Sequence, residues 1–338
     1  MQLAFGIISD DSPKLTSWKL VQDEMFPIKE LYADPSVTDV FVDRFDRINV
    51  MRNGELQPTE CSFGNEELLL SFINQLSLTL DQDRFDIDSP ILDARLPDGS
   101  RVNAVHNTYS PQGSVISLRK VPVDVLTLQQ FLDSGMFTHE MLDYLINMVE
   151  EKKTFGISGN MGSGKTSLLR FLSEYVDPRT RLVTAEDTQE LHINKNFPFG
   201  MALEAPQRAG SKITLPIIIQ STMRQQPDRV WVGELRTAAA VDALLQIVYA
   251  GVRGCAFTFH GKSVEHGLSR LQYLLATAGK VSYELTGVLL RDSVDVIIQT
   301  HRDPVWGRRI TEIGEIRDRK VHIIFKFDEK TGKHVKIG

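Results

Sequence analysis

Two cysteines, Cys61 and Cys255, are all that this chain of 338 residues contains. They stand far apart, outside any C-x-x-C spacing and away from a histidine pair, which excludes a disulfide framework and a zinc module and leaves two reduced packing thiols. No run of 18 apolar residues occurs, so no membrane-spanning helix is expected. The segment from Met1 to Asp10 lacks the basic start and small-residue cleavage site of a secretory leader, which makes the cytoplasm the expected compartment. Internal repeats and low-complexity tracts are also missing. Positive charge is scarce at the start: residues 1–120 carry 11 Lys and Arg against 19 Asp and Glu, whereas the remainder carries 27 against 25. An acidic first part repels phosphate backbones and weighs against a dedicated DNA or RNA binder, although a plain solvated acidic face accounts for it too.

What the chain does have is Gly159-Asn160-Met161-Gly162-Ser163-Gly164-Lys165-Thr166, the spacing G-x-x-x-x-G-K-[ST] of a phosphate-binding P-loop. Its glycines let the backbone curl until successive N–H groups point into one concavity, an anion cradle. Residues Gly159 through Ser167 are therefore the expected nucleotide-binding set, with Lys165 on the β/γ-phosphates and Thr166 on Mg2+. The context fits: Thr154 to Ser158 is β-prone, and Thr166 to Leu172 has helical periodicity, so the phosphates would sit on a helix N-terminus.

The length suggests two domains, each with its own core. Residues 1–120 read as α+β. Val37 to Val42 and Arg47 to Met51 alternate as strands, with a turn over Arg52 to Glu55, and Asn65 to Leu76 is an amphipathic helix. A hairpin from Ile91 to His106 turns at Pro97 to Ser100, and Ser114 to Arg119 adds a further strand. Residues 121–127 read as a linker, and helices at Leu128 to Leu132 and Glu140 to Glu151 lead into the P-loop strand. Residues 128–338 then alternate strand and helix, the pattern of a mostly parallel α/β sheet. Arg181 to Ala185 is a strand ending on Glu186, Pro227 to Glu234 fits a Walker B strand, and Cys255 to His260 ends on a histidine. Helices over Leu215 to Gln225 and Ala238 to Ala250 connect them, and strands at Asp295 to Gln299, Arg309 to Arg317 and Lys320 to Phe327 close the sheet. Ligands bind beyond the carboxyl ends of such strands, so Glu186, Glu234 and His260 are expected to converge on the P-loop.

The order of P-loop, then Thr184 to Leu191, then Arg224 to Arg236, then Thr258-Phe259-His260, resembles the Walker A, Asp, Walker B and His boxes of the secretion-superfamily traffic ATPases. In the first part, Asp34 to Val40, Leu96 to Asn103 and Ser117 to Lys120 are similar to segments of the same family, so the resemblance spans about residues 28–320. Within the superfamily the chain looks closest to the compact type IV secretion and Tad-pilus assembly ATPases, because the four-cysteine zinc site of many other members is missing. It departs from the pattern at Ala250 to Cys255, where a Thr-Gly-His turn is common, and at Gly261, where alanine often follows the box histidine.

The resemblance implies a PAS-like N-terminal domain, a RecA-like C-terminal domain, and a homohexameric ATPase using ATP and Mg2+. That motor would stand at the cytoplasmic face of the inner membrane, held there peripherally by a membrane-embedded platform protein, and drive protein secretion or pilus assembly. Glu186 would activate water, Glu234 would orient Mg2+ together with Thr166 and Asp187, and Glu190 would support them. His260 would contact the γ-phosphate or else serve as a hydrogen-bonded structural residue. Arg101 and Arg119 would read the γ-phosphate from the first domain, unless they are surface ion-pair partners of the surrounding aspartates. Arg236 and Arg270 fit either the site or a subunit contact. Two other readings differ in class: a nucleic-acid translocase with the same core, and an ATP-binding switch without turnover.

Overall fold

The computed structural model describes Val21 and residues 25–52, 54–80, 82–96, 99–120, 126–193, 196–205, 212–279 and 281–337. Chain contacts divide these into two compact units, one up to residue 120 and one from residue 126 onward. Met1 to Asp10, Asn53 and Pro97-Asp98 of the two expected turns, and most of the expected linker lie outside the described residues.

The first unit contains helix α1 (Lys29–Ala33), strands β1 (Val37–Arg44), β2 (Arg47–Arg52) and β3 (Glu55–Pro58), helix α2 (Glu66–Thr79), and strands β4 (Ile91–Arg95), β5 (Arg101–Val105) and β6 (Val115–Arg119). The strands form one antiparallel sheet in the order β3-β2-β1-β6-β5-β4. Val40, Val42, Ile48, Val50, Val102, Ala104, Ile116 and Leu118 bury a shared core with Leu69, Phe72, Ile73 and Leu76 of α2, whose i, i+3, i+4, i+7 spacing makes one apolar stripe. Asn65 caps α2 by accepting the Leu68 N–H at 2.9 Å. The sheet register sets Asp39 opposite Arg119, Arg119 opposite Arg101, and Arg101 opposite Arg95. One row across four strands thus holds an acid and three arginines.

The second unit begins with α3 (Leu128–Asp133) and α4 (His139–Glu150), followed by β7 (Phe155–Gly159), α5 (Lys165–Ser173), β8 (Leu182–Glu186) and β9 (Met201–Glu204). Next come α6 (Leu215–Thr222), β10 (Arg229–Val232), α7 (Ala238–Tyr249), β11 (Ala256–Phe259), α8 (Val264–Thr277) and α9 (Tyr283–Ser293). Four strands end the chain: β12 (Val296–Asp303), β13 (Gly307–Arg317), β14 (Lys320–Asp328) and β15 (Lys333–Lys336). The sheet order is β15-β14-β13-β12-β7-β11-β10-β8-β9, parallel from β12 to β9 and antiparallel from β12 to β15.

Every residue of β7, β8, β10 and β11 is buried, because helices cover both faces of the parallel part. Alternation along β10 sends Trp231 into a core with Phe131, Leu145 and Phe171, and sends Val230 and Val232 into another with Ile219, Leu244 and Leu268. Cys255, at the start of this layer, is fully buried, and burial pushes its thiol pKa up to about 12. The expected helix to Gln225 stops at Thr222 and tightens into a 3-10 turn over Met223–Gln225. Glu234 lies two residues beyond the end of β10.

Candidate active site

The P-loop joins the end of β7 to the start of α5. It turns through Gly162 and Gly164 at φ 69° and 93°, the left-handed region that glycine enters without a steric penalty. Gly164 is the N-cap of α5, so the helix opens directly onto the loop. Lys165 folds over the loop: its Nζ donates to the carbonyls of Gly159 at 3.3 Å and Asn160 at 3.2 Å. Burial lowers the pKa of its ammonium group, and the charges of Glu234 and Glu190 oppose that shift. Ser163 is buried with its Oγ 2.8 Å from Thr300 Oγ1, and Thr300 in turn donates to the Ser158 carbonyl at 3.0 Å. Thr166 is half-buried, while Met161 and Ser167 face solvent.

The strand ends to one side of β7 supply the acids and the histidine. Parallel pairing of β11 with β7 sets Phe259 beside Ser158, so His260 falls beside Gly159. Its Nδ1 lies 3.0 Å from the Gly159 carbonyl, and its Nε2 lies 2.9 Å from Glu234 Oε1. The other carboxylate oxygen of Glu234 accepts from Arg236 Nη2 at 2.8 Å. Burial alone would raise the Glu234 pKa, but Arg236, His260 and Lys165 outweigh it and hold the carboxyl below its ordinary value. Glu186 is 1% exposed, and burial raises its pKa to about 7 against the pull of two backbone donors. Those donors are the N–H groups of Glu190 and Leu191, both on Oε2 at 2.8 and 3.0 Å. Oε1 is buried and makes no geometrically sound hydrogen bond among the described residues, although the neighbouring Thr184 hydroxyl also favours the ionised form. The structure thus separates the two glutamates, one held ionised beside Arg236 and one poised near neutrality.

Asp187 and Glu190 both act on Arg236 through charge. Arg270 is exposed on α8. In the first unit, Arg119 Nε donates to Asp39 Oδ1 at 2.8 Å with the guanidinium largely exposed, and Arg101 stands beside it in the row described above. That pairing is the surface ion pair left open as an alternative for Arg119.

The two departures from the family pattern fall at opposite ends of β11. Ala250 to Cys255 precede β11 and so lie at the opposite end of that strand from His260. At Gly261, a Cβ would collide with the buried Ser158 Oγ and come within 3.1 Å of Gly267 Cα. Glycine fits here because a Cβ would meet both Ser158 and the Gly267 backbone.

Other residues around the loop escaped sequence reasoning. Arg308 Nε donates to the Gly162 carbonyl at 2.8 Å, and the Arg302 N–H donates to Asn160 Oδ1 at 3.1 Å. Gln299 Nε2 bridges the carbonyls of Gly261 at 3.1 Å and Thr300 at 3.0 Å. The polar strand-end rule that found Glu186 would have found Thr300 had β12 been carried past Gln299. The arginines are brought together by the register of β12 on β13, which no local pattern discloses.

Fold and site together define a P-loop ATPase. A family model described as "Type II/IV secretion system protein" matches residues 21–304, and the chain belongs to that family. Over 340 residues it is 25% identical to the type IV secretion system protein VirB11 of Brucella suis biovar 1, covering 90% of this chain and 92% of that one. The fold is similar to that of the Legionella pneumophila ATPase DotB, with a TM-score of 0.64 at 17% identity over 93% of this chain and 84% of that one. It is also similar to the pilus retraction motor PilT solved with ADP, with a TM-score of 0.60 at 17% identity over 85% and 81%.

Proposed function

We propose that this chain is a hexameric motor of a type IV secretion or pilus machine, with a PAS-like first unit, a RecA-like second unit, and ATP hydrolysis at the P-loop driving an inner-membrane platform protein. The observation that carries the reading is Glu186: a buried carboxyl with a pKa near 7 and one oxygen without a geometrically sound hydrogen bond, on the strand-end row that includes Glu234 and His260. The names of the relatives support the machine class, since they are a type IV secretion protein, an ATPase and a pilus motor.

The loop N–H groups and Lys165 hold the phosphates of ATP, and residues Gly159 to Ser167 wrap them. Glu186 Oε1 takes the proton of the attacking water, while Oε2 stays fixed by its two backbone donors. His260 and Arg236 hold Glu234 in place. The donor set fits a Mg2+ carried in with ATP. Among the described residues no group of three acids, histidines or cysteines forms a cage, as suits a cation bound chiefly by phosphate and water with one hydroxyl. Thr166 would supply that hydroxyl, with Glu234 and Asp187 outside it through water, and the cation would neutralise phosphate charge.

The test is ATP hydrolysis by the purified chain, with its mass measured by light scattering with and without a non-hydrolysable analogue. Turnover with a nucleotide-stabilised hexamer is expected. Turnover that rises several-fold with single-stranded DNA would transfer the chain to the translocase class, and tight ATP binding without turnover would make it a switch.

A further inference from the structure

The β12–β13 hairpin stands on the side of β7 away from the acids. Sheet order puts β7 between β11 and β12, with Glu186, Glu234 and His260 all at strand ends on the β11 side. Across β7, Arg302 of β12 faces Arg308 of β13 in register. Both residues ride on the P-loop: Arg308 through the Gly162 carbonyl at 2.8 Å, Arg302 through its N–H on Asn160 Oδ1 at 3.1 Å. A Cβ placed on Gly162 would touch Arg302 Nη1 at 3.6 Å, and one on Gly164 would touch the Arg308 stem at 3.8 Å, so both side chains lie against the bare backbone of the loop.

Both side chains are exposed, and among the described residues no carboxylate lies within ion-pair distance of either. The adjacent acid, Asp303, is spent on its own turn, accepting the N–H groups of Val305 at 2.7 Å and Trp306 at 2.8 Å. Burial and the charge of Arg302 both push the Arg308 pKa down, which marks a pair under repulsion. The hairpin that carries them is braced. Arg309 is buried with its guanidinium over the rings of Phe327 at 4.5 Å and Trp306 at 5.7 Å, and the Ile310 N–H donates to Met136 O at 2.8 Å. An exposed arginine pair carried on a braced hairpin at the rim of an anion cradle is open to phosphate.

We propose that Arg302 and Arg308 bind the nucleotide at its α-phosphate and nucleoside end, opposite the hydrolytic groups. The inference rests on the ATPase reading: a triphosphate whose γ end meets Glu186 and His260 across the loop must turn its other end toward β12. Because ATP and ADP share that end, the pair contributes binding that is equal for both and leaves the chemical step to the other side of β7.

Calorimetry on the full chain with ADP and with a non-hydrolysable ATP analogue, beside steady-state ATP hydrolysis, tests it. Arg302→Gln is expected to weaken both ligands about tenfold and to raise KM for ATP by a similar factor, with kcat moving less than about threefold. Arg308→Gln should do the same, and Arg308→Lys should recover part of the loss by restoring charge. Affinities of Arg302→Gln and Arg308→Gln within about twofold of the parent, or a loss confined to kcat, would overturn the assignment. A parent chain that bound neither nucleotide would instead remove the ATPase reading beneath it.

Discussion

In the proposed mechanism Glu186 acts through the asymmetry of its two oxygens, and its burial makes its protonation measurable. If Glu186 is the base, kcat/KM reports its titration in the free enzyme and should rise with pH through about 7, a limb that Glu186→Gln abolishes along with most turnover. Stability runs the other way. The folded pKa is raised above the ordinary 4.5, so the native state is fully favoured below pH 4.5. It then loses stability as the unfolded chain ionises first, and the loss is complete above about pH 7. The total is on the order of 3 kcal/mol, and denaturant melts of the parent and Glu186→Gln should diverge by it over that window. A parent-minus-variant difference that stays flat from pH 4.5 to 7 contradicts the buried carboxyl.

Lys165 and Glu234 separate binding from chemistry at the same scale. Lys165→Ala should remove turnover with an unchanged melt, since its Nζ bonds only two loop carbonyls. Glu234→Gln should shift the Mg2+ dependence of turnover, whereas Glu186→Gln should leave it in place. Superimposable Mg2+ titrations for the two would end that division of roles.

Among elements, the tightest fit at the site is between β7 and the turn leading into α8. Gly261→Ala alone should destabilise by about 1–3 kcal/mol and slow turnover, because Ser158 cannot move out of β7 and His260 is displaced instead. Ser158→Ala removes the colliding oxygen and leaves its Cβ at 3.5 Å, so the double variant should recover part of both losses, the remainder coming from the Gly267 Cα at 3.1 Å. Additive losses in a double-mutant cycle would mean that the two residues do not press on one another. This coupling also marks where sequence reading stops. Strands with β-branched runs and an acid at the end, such as Arg229–Val232 before Glu234, were legible because burial on both faces writes a local pattern. Helices α8 and α9 were missed although Ser263 and Ser282 cap them, since Gly267 and Gly287 interrupt their apolar periodicity. The partners Gly261 with Ser158 and Arg302 with Arg308 are 103 and 6 positions apart, and only the sheet register joins them.

At the scale of the whole molecule, the proposed motor assigns reading of the γ-phosphate to Arg101 and Arg119. Arg101→Ala and Arg119→Ala are therefore expected to weaken a non-hydrolysable ATP analogue by about 1–3 kcal/mol while ADP changes much less. That is the opposite signature to Arg302→Gln. Equal affinities for both ligands in both variants would leave Arg119 as the partner of Asp39 alone and move the coupling to other side chains. The box order and the P-loop place the chain in its family from sequence alone, but do not distribute arginines between the two ends of a nucleotide. That distribution depends on the position of β7 in the sheet order.

The two thiols provide an internal clock for the second unit. Cys61 is partly exposed in the first unit and Cys255 is sealed under the parallel sheet of the second. A thiol-reactive mass label should therefore mark Cys61 in the native protein and reach Cys255 only when the second unit opens. The delay between the first and second mass shifts then times that opening, and its lengthening with added nucleotide reads ligand binding with no dye and no engineered residue.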